Sequence, residues 1–121
     1  MVSVVIQLYL WGIDMEKLIE SGKVAVLVSR GFGAGWYSWN DDKRMLFDVE
    51  IAEIVVNCDN KPNKKQKEDI VGIAKSKYGD NYYGGVDGLC VEWVDEGCLF
   101  RVDEYDGAES LHIGYEDYMK A

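Results

Sequence analysis

Three groups of residues in this chain have types and spacings that could support chemistry. The first is GFGAGWYSWN, residues 31–40, where alternating glycines precede Trp36, Tyr37 and Trp39. A strand followed by Gly-x-Gly is how a phosphate cradle begins, because glycine lets backbone N–H groups come close to an anion. The pattern here is GxGxG rather than GxGxxG, aromatics follow instead of a helix, and the Lys-Ser/Thr of a P-loop is missing. Two other readings compete. In one, the glycines form a turn that packs Trp36 and Trp39 into the core. In the other, Arg30, Trp36, Tyr37, Trp39 and Asn40 line a pocket that stacks a base or a nucleotide. Every base has a π-face worth ~1–3 kcal/mol on an aromatic ring.

The second group is DEYDGAE, residues 103–109. A calcium loop needs oxygens at alternating positions and a glutamate at its twelfth, and this spacing fails that requirement. The segment reads as a hairpin, with Asp106-Gly107 as its turn. With the neighbouring strands it collects Glu92, Asp95, Glu96, Asp103, Glu104, Asp106 and Glu109 at positions expected to face outward. Such carboxylates are either simply solvated or form a surface that imitates a phosphate track and occupies another protein's basic groove.

The third group covers catalysis and metal binding, and it is thin. His112 is the one histidine and has no Ser or Cys motif beside it. Cys58, Cys90 and Cys98 make an odd count without CxxC, which fits a reducing compartment and reduced thiols. Cys90 and Cys98 flank one expected hairpin, and Cys58 falls on the apolar stripe of a helix. No metal site, cofactor or catalytic set is expected, and the protein is read as a non-enzyme.

These residues need elements to position them. Residues 2–11 are β-branched and aromatic and read as a strand, with Val4, Ile6, Leu8 and Leu10 on one face. Residues 1–14 are an edge strand or an extension, since Met15 is an alternative start, and the strand invites a homodimer by edge pairing. Asp14 as N-cap and Gly22 as terminator suggest a short helix over 15–21. KVAVLVS, residues 23–29, is an unbroken apolar run and reads as a central strand covered on both faces. Asp48 caps a helix over 49–58, and a second helix runs over 64–78 with Gly79 past its end. Lys61, Lys64, Lys65 and Lys67 sit unfavourably at that helix's positive end, by a few tenths of a kcal/mol, which blurs its start. Strands over 89–94, 98–105 and 108–113 form a C-terminal meander.

The fold class that follows is a single α+β domain over 1–121. A mostly antiparallel sheet of four or five strands includes the meander, and two or three helices pack on one face.

Charge is distributed unevenly. Residues 80–121 hold eleven Asp/Glu against Arg101 and Lys120, while residues 1–79 are balanced, so the net charge of −9 belongs to the last third. Acidity argues against direct contact with nucleic acid or an anionic membrane and favours a basic protein, including one that itself binds nucleic acid. VSVVIQLYLW is about ten residues long, too short to span a bilayer, and it lacks the basic start of a signal peptide. A cytoplasmic location is expected.

Two segments, VLVSRGFGAGWYSWN (26–40) and EGCLFRVDEYDGAESLHI (96–113), resemble a group of small acidic proteins encoded by phages and prophages. The resemblance spans roughly residues 23–114 and assigns no role to any residue. It implies a phage gene product in a host bacterial cytoplasm. By analogy with that class, it implies an inhibitor of a host protein of the anti-defence or anti-CRISPR type.

Overall fold

A computed structural model of the chain describes residues 3–8, 14–114 and 119–121. Among these residues, two antiparallel sheets and three α-helices form an α+β fold. The larger sheet runs β1 (Ser3–Leu8), β2 (Asp14–Glu20), β3 (Lys23–Ser29), β4 (Leu89–Asp95), with each strand hydrogen-bonded to the next. The smaller sheet has β5 (Leu99–Tyr105) in the middle, between β6 (Ala108–Ile113) and β7 (Met119–Lys120). The helices are α1 (Arg44–Phe47), α2 (Val49–Asn57) and α3 (Lys64–Tyr78), and a 3-10 turn, Gly84–Gly88, leads into β4. Among the described residues, no helix is long and apolar enough to cross a membrane.

β3 is buried from Val24 to Ser29, as its continuous apolar run requires. Its two faces serve two cores. Ala25 and Leu27 pack with Ile51 and Val55 of α2 and Ile70 and Ala74 of α3. Val24, Val26 and Val28 pack with Phe100 of the smaller sheet and with Leu46 and Phe47 of α1. The larger sheet is thus sandwiched between a helical layer and a second sheet.

Local signals hold for α2 and α3. The Asp48 side chain accepts from Ile51 N–H at 3.0 Å and starts α2. Asn63 and Gln66 form a reciprocal capping box at the start of α3, each accepting from the other's backbone N–H at 2.8 Å. A box of this kind, worth ~1 kcal/mol, outweighs the few tenths lost to lysines near the positive helix end.

Two expectations are corrected. Residues 15–21 are not a helix, because Asp14–Glu20 is strand β2, paired with β1 and β3. Ser21 and Gly22 have φ of 51° and 76°, and they make a tight two-residue turn into β3. Leu18 and Ile19 are both buried, but in opposite cores, and Lys17 is buried as well. A helix would set Leu18 and Ile19 on one side, whereas only a strand covered on both faces can bury them in different layers. The second correction concerns only the hairpin expected across residues 95–97, since the C-terminal strands follow in the expected order. The turn over 95–98 is closed by Cys98 N–H to Asp95 O at 3.0 Å, yet β4 and β5 do not pair. The chain turns a corner there and passes from one sheet to the other. The β5–β6 hairpin does form, on Asp106 and Gly107 with φ of 49° and 86°.

Candidate functional site

The glycine loop does hold an anion, and the anion is the chain's own Glu109. That side chain is 2% exposed. Its Oε1 accepts from Ser29 N–H at 2.7 Å. Its Oε2 accepts from Trp36 N–H at 3.0 Å, Ser38 N–H at 2.8 Å and Ser38 O–H at 2.7 Å. Four donors replace the water that the carboxylate loses, and without them its burial would be prohibitive. Glu109 is therefore corrected: it is a structural anchor and no partner can reach it. Glu109 shares a strand face with Leu111, which packs into the second core, so that side of β6 is the covered one.

Backbone packing fixes the loop from both sides. A side chain at Gly85 would meet Gly35 O at 2.4 Å, one at Gly88 would meet Gly31 N at 2.4 Å, and one at Gly107 would meet Ala34 N at 2.3 Å. Gly33 N–H donates to Asp106 O at 2.6 Å, and Arg30 N–H donates to Gly88 O at 2.9 Å. Asn40 ties the far end down, donating to Trp36 O and Tyr82 O at 2.8 Å and accepting from Tyr82 N–H at 2.9 Å. The loop over 31–40, the segment over 82–88 and the β5–β6 turn form one rigid platform.

This platform displays aromatic rings. Phe32 is 74% exposed and Tyr105 is 78% exposed. Trp39 stacks on Tyr82 with ring centroids 5.4 Å apart, and both are exposed. Phe32 and Tyr82 wall a cleft of about 320 Å³, with Gly31, Gly84 and Gly88 along it and Asp87 at its rim. Asp87 is exposed and lies 3.4 Å from Lys67. Glu104 and Asp106 stand on the neighbouring hairpin, where Glu104 also accepts from Gly107 N–H at 2.6 Å.

The other acidic residues are spread out. Glu92 faces the second core beside Cys90 and Val94, is ion-paired with Arg30, and is half-buried. Its place on an open partner-binding surface is corrected for the same reason as that of Glu109: its strand face is covered. Asp95 pairs with Lys23 at 3.7 Å, and Glu96 follows it in the turn. Those two lie at the end of β4 remote from Asp87, about 20 Å away for a seven-residue strand. Asp103 is engaged by Arg101 at 2.8 Å and by His112 at 3.3 Å. The seven carboxylates thus do not form one face.

The five residues proposed for a nucleotide pocket also separate. Trp36 is fully buried, with its indole N–H on Met45 O at 3.0 Å. Tyr37 leans on the second core, where burial first and then Asp41 and Glu109 raise its pKa. Arg30 is exposed but paired with Glu92, and Asn40 is a structural bridge, so Trp39 is the one ring of the set that is exposed.

His112 has company that the sequence reading missed. Ser110 Oγ lies 3.2 Å from its Nε2 and Asp103 lies 3.3 Å from the same nitrogen. A nucleophile–base–acid relay needs the two partners on opposite ring nitrogens, so this exposed trio is not a relay. The three cysteines are free and half-buried, and burial raises the Cys90 pKa against the opposing pull of Arg30. Among the described residues, no cluster of His, Cys, Asp and Glu could hold a metal.

Phe32, Tyr82, Tyr105 and Asp87 are the site residues that sequence reasoning did not single out. Their signal was indirect, since each is adjacent to a glycine or one residue removed from one. No protein-family model, curated protein or solved structure was found to match the chain.

Proposed function

We propose that this chain is a non-enzymatic binding protein that meets a basic protein through the platform carrying Phe32, Trp39, Tyr82 and Tyr105 and edged by Asp87, Glu104 and Asp106. The observation that supports this reading is the exposure of Phe32 and Tyr105 on a backbone made rigid by glycine contacts. Exposed rings on a preformed surface cost little entropy to bind with, and aromatics dominate interface energetics. The flanking carboxylates select a positive partner and speed encounter with it. The resemblance of residues 26–40 and 96–113 to small acidic phage proteins supports a host protein as that partner, with inhibition of host defence as the outcome.

The test is affinity capture from bacterial lysate at low and high salt, run beside a Phe32→Ala/Glu104→Gln/Asp106→Asn variant. A basic protein should be retained at low salt, released as salt rises, and bound at least tenfold more weakly by the variant. Equal capture by both proteins, or capture indifferent to salt, overturns the reading.

A further inference from the structure

Building on that reading, we infer that the cleft between Phe32 and Tyr82 takes an arginine side chain of the partner. Two aromatic walls attract a cation, because a ring face carries the negative part of its quadrupole. The Tyr82 wall is preset. Tyr82 is backed by Trp39 at 5.4 Å, and its hydroxyl end lies against Gly84, where a Cβ would come within 2.9 Å. Asp87 at the rim presents a carboxylate, the planar acceptor that a guanidinium fork matches. Its side chain is 81% exposed, and its one described ion pair, with Lys67 at 3.4 Å, is a surface pair of little strength. The glycines along the cleft put no side chains into it, which leaves room for a flat group beside the rings. Gly88 is fixed as glycine by Gly31, so that room is a consequence of the packing.

The same features disfavour a nucleotide. Stacking would be available to a base, but its phosphates would meet Asp87. Arg30, at the start of the glycine loop, is already engaged by Glu92. Lysine is a weaker fit than arginine, because a compact, strongly hydrated ammonium neither stacks nor binds bidentately.

The experiment is an amide NMR titration of the whole chain with a tetra-arginine peptide, a tetra-lysine peptide and AMP. Phe32, Gly84 and Gly88 should shift saturably with the arginine peptide, which should bind about fivefold more tightly than the lysine peptide. Phe32→Ala and Asp87→Asn should each weaken it about fivefold, while Asp95 and Glu96 stay unshifted. Equal binding of the two peptides, shifts spread over the whole acidic third, or a cleft response to AMP alone would overturn the inference. If capture of a basic protein still depends on Glu104 and Asp106 but the arginine peptide leaves the cleft unmoved, the inference falls and the binding face stands. A cleft that shifts with arginine in a protein that captures no salt-sensitive partner gives the reverse result.

Discussion

Replacing Glu109 by glutamine tests how the binding platform is built. The carboxylate takes one hydrogen bond on Oε1 and three on Oε2. An amide keeps a single acceptor oxygen and gains an NH2 donor. Its best orientation puts the oxygen where Oε2 lies and turns the NH2 against the Ser29 N–H, which loses its acceptor. Hydrogen bonds to a charged acceptor net ~1.5–3 kcal/mol, and an orphaned buried donor costs ~1–3 kcal/mol. These terms overlap, so a loss of about 3 kcal/mol is expected, a large share of the ~5–15 kcal/mol that holds a domain folded. For a chain of 121 residues, roughly 4 °C is lost per kcal/mol, so Tm should fall by about 12 °C. Thermal and urea melts followed by tryptophan fluorescence measure this directly. Asp106→Asn is the matched control, since it removes the same charge from an exposed turn and should stay within ~0.5 kcal/mol. A Glu109→Gln protein melting within about 2 °C of the parent, as the control does, would refute the anchor role.

Glycines should respond in opposite directions. Gly72 lies mid-α3 with open space around it, so Gly72→Ala should stabilise by ~0.5–1 kcal/mol. Gly107→Ala meets Ala34 N at 2.3 Å with φ at +86°, and should cost about 2–3 kcal/mol in urea melts. Trp36→Ala should destabilise by ~3–5 kcal/mol because the ring is fully buried, whereas the exposed Trp39 should tolerate alanine within ~1 kcal/mol. Stability should also fall in alkali. Burial raises the pKa of Tyr37, Tyr83 and Cys90, and burial followed by the Asp48 hydrogen bond raises that of Tyr78. A group raised on folding contributes fully below its unfolded pKa, about 8.5 for a thiol and about 10 for a phenol, and that contribution is lost as pH climbs through the raised value. Tm should therefore drop steadily above about pH 9, and a flat profile to pH 11 would contradict it.

The sequence by itself determined whatever is decided within a few neighbouring residues. Asp48 starts α2, Gly79 ends α3, Asp106-Gly107 turns a hairpin, and the apolar run of β3 demands cover on both sides. Each follows from capping, left-handed backbone angles or hydrophobic burial, which act over one turn of chain. Tertiary structure decided which side of a strand is covered, and by what. Residues 14–20 became a strand because both faces of the larger sheet are buried, so Leu18 and Ile19 find opposite cores. Glu109, in an acidic stretch of sequence, was drawn inward because the end of β3 and the glycine loop, seventy to eighty residues earlier, turn one and three donors toward the same point. Alternation along a strand divides residues into two sets, but only the layers packed against it say which set meets water.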